Sequence, residues 1–428
     1  MSIKKYYDIG KNILFTINRS LTGSGTKKTL EIIKKNFPKL LIKSTNSNKK
    51  CFDWKIPHEW NVTDAYVIDK YNDKIIDFKK NNLHLVGYST PINKIITKKE
   101  LIKHIHTLPK QPDAVPYITS YYKRYWGYCI TDNMKKKMKK KYKSNDKFKI
   151  NIKSSIKAKG KLNHGEFTIK GETKKIILIS TNICHPSMAN NELSGPIVAM
   201  CLMDFFSKRK NKKTIKFIFI PETVGAINYI QNENDSLKKY LDGGYILSCI
   251  GDERMYSCIF SKYKNSMSDK ALIHAYKKMK IKYKEYSFLE RGSDERQFNS
   301  PGIDLPVTAV FRSKFGTYKE YHTSLDNFNL VTIKGIKDSF ELLKKTIINL
   351  DNFIIPKAVN NCEPFMSKYN LYDSLSTKKK NFRTENLMNF LQYSDGKNDL
   401  KQISKLIGTS ILNTEKVYKI LLKNKLIY

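Results

Sequence analysis

Apolar and polar positions change rhythm along this chain, and each change predicts a different kind of structure. From about residue 160, short unbroken apolar runs alternate with loops and amphipathic stretches. KKIILISTNI, TIKFIFIPE, GGYILSCIGDE and DLPVTAVF read as buried strands, and LSGPIVAMCLMDFFSKRK between the first two reads as a helix. Strands alternating with helices predict an α/β fold, a mostly parallel sheet flanked by helices on both faces. Residues 1–45 predict two helical segments around the turn in SLTGSGTKKTLEIIKK. Between about 50 and 155, short alternating runs such as AYVID, KIIDF and LHLVGYST predict a small β-rich module. From about 360 onward, NLMNFLQYSDG, NDLKQISKLIG and NTEKVYKILLKNKLIY predict three short helices, a helix-turn-helix or winged-helix pattern. No internal repeat is visible.

Charge qualifies this picture more than it changes it. The formal charge is +40, with 79 Lys and Arg against 39 Asp and Glu, which points first at nucleic acid. Only eight of the basic residues are arginine, whereas phosphate and base readers concentrate its planar fork. The lysine excess is therefore expected to be a solvated basic face, including an exposed turn or loop at MKKKMKKKYKSNDK. Seven scattered cysteines without a CxxC pair argue against a disulfide framework and a cysteine-based zinc knuckle. No apolar run approaches the roughly 18 residues of a membrane span. The basic start, MSIKKYYDIGKNILF, lacks an apolar leader core and is expected to be the first helix of a cytoplasmic protein.

Candidate chemistry falls where the predicted strands end. His185 follows one strand, Glu222 the next and Asp252 the third, while His322 lies in the polar loop YHTSLDN. Carboxyl ends of parallel strands are where α/β sheets place their sites. Imidazole is a neutral zinc ligand, and a carboxylate beside it can take a proton from water. Taken singly, each has an ordinary structural reading, as a core histidine or a helix cap. Together, on one sheet, they point to a metallohydrolase.

The ordered segments CHPSMANNELSGP, PETVG, GDER, RGSDERQF, PGIDLP and YHTSLDN resemble the zinc aminopeptidase and glutamate-carboxypeptidase superfamily. The chain is most similar to an aminopeptidase-like family with an inserted small β-domain, here FDWKIPHEWNVTDAY to PYITSYYKRYWGYC, and a C-terminal winged helix. The resemblance implies a catalytic domain at 1–48 and 156–355, the insertion at 49–155 and the winged-helix module at 356–428. It implies metal ligands at His185, Asp252 and His322, with Glu222 as general acid and base. Asn191 stands where the superfamily has a metal-bridging aspartate and Thr223 where it has a second-metal glutamate, which leaves charge for one Zn²⁺; Asn191 is left as a contact to the metal or its water. Arg291, Asp294, Arg296 and Tyr321 are the expected substrate contacts. The tyrosines of TSYYKRYWGY are assigned to a domain junction, with a lid over the cleft as the alternative.

The function implied is hydrolysis of an amide bond in a peptide-like or small-molecule substrate, an aminoacylated or amidated precursor in surface-polysaccharide metabolism. No membrane partner is expected, and a homo-oligomer is. Two alternatives stay open: an inactive relative serving as a binding module, and a nucleic-acid regulator acting through the winged helix.

Overall fold

The structure is a computed structural model and describes residues 3–372 and 382–428. The chain divides into two compact units, Met1–Asp351 and Asn352–Tyr428.

The first unit is built on an eight-stranded sheet. At its centre, Ile176–Asn182 pairs in parallel with Thr214–Ile220 on one side and Leu241–Leu247 on the other. Val307–Phe311 extends the parallel set beyond Leu241–Leu247. Every residue of Ile176–Asn182 is buried, which is why its sequence is apolar without alternation. Antiparallel pairs flank this parallel set, and the outermost strand Lys284–Tyr286 then pairs in parallel with Ser257–Ile259. Lys161–Ile169 and then Leu41–Asn46 flank Thr214–Ile220, and Ser257–Ile259 flanks Val307–Phe311. The strand Leu41–Asn46 corrects the expectation that the first 45 residues are only helical. Its pattern is mostly exposed, so it carries little apolar signal.

The helix Ser194–Phe206 is buried around almost its whole circumference, as expected for an element packed between the sheet and other helices. Its first turn lies directly on the strands. A Cβ on Gly195 would stand 2.2 Å from Thr181 Oγ1 and 2.4 Å from the Leu247 carbonyl oxygen. Glycine is what lets this helix begin at the end of the central strand, beside the candidate site.

Residues 59–157 contain a second, antiparallel sheet in the order Lys74–Asp77, Glu59–Ile68, Lys147–Lys157, Ile92–Thr97. It does not close a core of its own. Trp60, Val67, Phe148 and Ile150 share one apolar cluster with Leu162, Cys184, Val224 and Ile227 of the larger sheet's elements. The lysine run that sequence assigned to a loop is the helix Asp132–Lys141. Thr131 caps it, Asp132 lies in its first turn, and its last turn is all lysine, matching the helix dipole at both ends. Met138 anchors it to the core.

The second unit holds the helices Phe382–Gln392, Leu400–Leu406 and Ile411–Lys423 around a separate core that includes Leu387, Phe390, Ile403 and Leu421. An Asp399–Gln402 capping box starts the middle helix. All seven cysteines are free. Among the described residues, no helix is long and apolar enough to cross a membrane.

Candidate metallohydrolase site

The central strand ends at Asn182, and three residues later His185 is held from both sides. Its backbone N–H donates to Glu192 Oε1 at 2.8 Å and its Nδ1 is 2.7 Å from Glu192 Oε2. Behind it, the buried Arg19 donates from Nε to the His185 carbonyl oxygen at 3.0 Å. Burial works against protonation of this imidazole, but the Cys184 thiol and the Glu192 carboxylate outweigh it and raise its pKa well above the ordinary value. With Nδ1 engaged, Nε2 is the free face, and it lies 3.7 Å from Glu222 Oε2.

Glu222 sits in a sharp turn between the strand Thr214–Ile220 and the helix Val224–Tyr240. The turn is strained at Thr223, whose φ of 62° is rarely adopted by a β-branched residue. The RGSDERQF segment holds that conformation. Thr223 N–H donates to Asp294 Oδ1 at 2.7 Å, and Arg296 Nη2 donates to Thr223 Oγ1 at 2.8 Å. Ser293 Oγ donates to Glu222 Oε1 at 2.6 Å, which leaves Oε2 turned toward His185. Burial, and then the Glu222 charge, push the Asp294 carboxyl well above the usual range.

His322 arrives from a loop with φ of 54°. Its ring stacks on Tyr321 with centroids 3.9 Å apart, meets Tyr117 edge-on at 5.2 Å, and lies 5.2 Å from the His185 ring. Tyr117 N–H donates to the His322 carbonyl oxygen at 2.9 Å. Burial and the neighbouring His185 push the His322 pKa down to about 3, so this imidazole is neutral. Its Nε2 is buried without a hydrogen-bond partner among the described residues, and a buried orphan nitrogen calls for a ligand.

The other expected ligand is elsewhere engaged. Asp252 is fully buried, and both of its oxygens are already filled. Oδ1 accepts from Arg254 N and Ser313 Oγ at 2.9 Å, and Oδ2 accepts from Asn190 Nδ2 and Ser313 N at 3.0 Å. The ligand atoms of His185, Asp252 and His322 do not all lie within 4.8 Å of one another. Asp252 thus ties the strand-end loops together through four hydrogen bonds, and it forms no close cluster with both imidazoles at once. Asn191 is engaged too: its Oδ1 lies 3.7 Å from the Cys249 sulfur and its Nδ2 3.7 Å from the Met188 sulfur.

Among the described residues, the one cluster of three or more His, Cys, Asp or Glu donors that closely spaced is Cys184, His185 and Glu192. The 2.7 Å separation of Glu192 from Nδ1 is a hydrogen bond rather than a cage, and burial pushes the Cys184 thiol up to about 11. This trio orients His185 in the way a carboxylate orients a metal-binding imidazole.

The expected substrate contacts separate into three groups. Tyr321 lies on His322, Asp294 and Arg296 stand behind the Glu222 turn, and Arg291 is on the surface over Phe288. Sequence reasoning missed Glu192, Ser293 and Tyr117. Glu192 was findable, as a carboxylate seven residues beyond a candidate ligand histidine. Nothing in the spacing marks Tyr117, which lies just before TSYYKRYWGY at the return of the insertion; its ring packs on His185 as well as His322.

The family described as a domain of unknown function, DUF4910, matches residues 7–353. The chain belongs to this family. A winged helix-turn-helix model matches residues 354–428, in agreement with the three-helix second unit. A protein of Clostridium acetobutylicum, provisionally named for polysaccharide biosynthesis with an aminopeptidase-like domain, is 38% identical over 393 residues, 91% of this chain and 88% of its own length. A solved structure from the same organism, provisionally called a peptidase, superposes with a TM-score of 0.80 at 35% identity, covering 100% of this chain and 96% of that one. The zinc aminopeptidase BSAP of Bacillus subtilis is similar in fold alone, with a TM-score of 0.57 at 14% identity over 81% of this chain and 94% of that one. DUF4910 in this chain therefore has the aminopeptidase-like α/β fold, followed by a winged helix.

Proposed function

We propose that the chain is a metal-dependent hydrolase of amide bonds, of aminopeptidase type, working with a single zinc ion. The observation that carries this reading is the pairing of two buried imidazoles, ring centroids 5.2 Å apart, with Glu222 Oε2 3.7 Å from Nε2 of His185. His185 and His322 fit a metal by their chemistry. One is fixed through Nδ1 and would turn Nε2 to a metal on giving up the proton it holds toward Glu222, and the other is neutral with an unpartnered Nε2. When bound, zinc supplies Lewis acidity toward a carbonyl oxygen and toward water.

The remaining work belongs to the chain. Glu222 takes a proton at Oε2 and returns it to the departing amine, a role of roughly 10² to 10⁴ in rate. Ser293 fixes Oε1 so that the other oxygen faces His185. Tyr117 and Tyr321 wall the histidines and thin the water around them. The name carried by the Clostridium acetobutylicum relative supports an aminoacylated or amidated sugar precursor of surface polysaccharide as substrate.

The test is metal analysis of the purified chain beside Glu222→Gln, with both proteins assayed on a panel of aminoacyl amides. About one zinc per chain in each, and turnover in the wild type only, is the expected result. A wild-type protein that takes up no zinc would favour an inactive relative serving as a binding module, a reading that the engaged Asp252 and the amide at Asn191 support.

A further inference from the structure

A cavity of about 940 Å³ opens beside the Glu222 turn and plays no part in the chemistry above. Arg296 belongs to both places: it lines the cavity and donates to Thr223 Oγ1. Phe260, Tyr286 and Phe288 give the cavity an aromatic wall, with Arg291 beside them.

Three observations describe its occupant. The first is charge. Lys262 and Lys264 on the rim are already paired, with Asp304 and Glu285, whereas Arg291 and Arg296 form no ion pair among the described residues. The second is hydrogen-bonding capacity. Among the described residues, each of the two arginines commits a single N–H, to the Phe288 carbonyl oxygen and to Thr223 Oγ1, and Arg296 Nε is buried without a partner. The third is exposed apolar surface at the edge. Leu289 is 84% exposed on a turn held rigid by a Ser287–Glu290 capping box. Lysine is the default cation of this chain, yet two of its eight arginines line one cavity. Guanidinium groups bind carboxylate and phosphate through paired N–H donors, and aromatic faces suit a ring.

We propose that this cavity is a subsite for the remote end of the substrate, and that it takes an oxyanion carried on a sugar ring. Arg291 and Arg296 hold the phosphate or carboxylate while Tyr286 and Phe288 lie against the ring. The proposal rests on the hydrolase reading for the word substrate, but the binding it describes does not depend on turnover.

The experiment is calorimetric titration of the full-length chain, wild type and Glu222→Gln, with glucose 1-phosphate, glucuronate and glucose. An oxyanion sugar is expected to bind both proteins, and glucose at least tenfold more weakly. The tighter of the first two probes tells phosphate from carboxylate. Arg291→Gln, at an exposed position, is expected to weaken that binding about tenfold, and Arg296→Gln likewise. Lys137→Gln, on the distant lysine helix, is the control and should leave it unchanged. Anion binding without any hydrolysis would leave the subsite standing and remove the hydrolase reading. Hydrolysis without anion binding, glucose binding as well as its phosphate, or indifference to Arg291→Gln would overturn the subsite.

Discussion

Glu192→Gln is the sharpest perturbation available at the imidazole pair, because it changes one charge and almost no volume. In the native protein the two carboxylate oxygens are spent on one residue, 2.8 Å from the His185 N–H and 2.7 Å from Nδ1. Both residues are buried, so water cannot replace what is lost. Glutamine keeps one acceptor oxygen and turns an N–H toward the second donor. One charge-assisted hydrogen bond disappears, worth about 1.5–3 kcal/mol. Through His185 the same change should appear as a loss of about 10- to 100-fold in zinc affinity, the usual effect of removing the partner of a metal-binding histidine. These two figures agree, since tenfold corresponds to about 1.4 kcal/mol.

The measurement is competition for zinc against a chelator of known affinity, together with urea unfolding of the metal-free protein. Glu192→Gln should lose affinity and some stability together. Glu192→Ala should lose more of both, because it also opens a void beside the imidazole. If Glu192→Gln held zinc within twofold of the wild type, Glu192 would not be what orients His185, and the case for that histidine as a ligand would lose its main support.

Three other outcomes follow from the same contacts. Asp252→Asn puts an N–H against a carboxylate site that now accepts four hydrogen bonds, so the metal-free protein should lose about 3 kcal/mol or more in urea unfolding while zinc affinity moves less than tenfold; a thousandfold loss of zinc at unchanged stability would return Asp252 to the ligand set. Ser293→Ala frees Glu222 Oε1 and should lower kcat about tenfold with zinc content unaltered, which paired kinetics and metal analysis would check. Asp326 cradles the Asn190 and Asn191 N–H groups, and burial raises its pKa from 3.8 to about 6. The folded state therefore holds this proton more tightly than the unfolded chain. Stability contributed at Asp326 is greatest below about pH 4 and falls by ~3 kcal/mol as pH rises through 6. Comparing wild type with Asp326→Asn in urea at pH 4 and pH 7 should show the wild-type advantage shrinking by about that amount; a constant difference would refute it.

What was legible in the sequence was periodic or terminal. Ile176–Asn182 could be read because burial on both faces leaves an apolar run, and His185 and Glu222 because each directly follows such a run. The edge strand Leu41–Asn46 was hidden because it is mostly exposed. The lysine helix Asp132–Lys141 was hidden because only Met138 and Asp132 are buried in it. Asp252 shows the limit of arguing from strand ends. It occupies the same kind of position as Glu222, but its environment is supplied by Ser313 and the Asn190 side chain, about sixty residues away in either direction. Position predicts that a carboxylate reaches the rim of the sheet. Which donors meet it there depends on loops that no local pattern describes.

The same reasoning explains why the departures at Asn191 and Thr223 are compatible with a working site. Removing carboxylates from direct metal contact leaves fewer negative charges to balance a cation in a desolvated cleft. This chain retains one carboxylate at residue 192, next to the position where the superfamily resemblance expects one, and it binds the far side of His185 instead. Glu192 and Glu222 flank the two ring nitrogens of His185, and in the single-zinc proposal they supply its balancing charge. The buried Arg19, close enough for its charge to feel Glu192, adds a positive charge behind His185. The proposed stoichiometry of one zinc is built on this arrangement, and metal analysis returning two ions per chain would refute it.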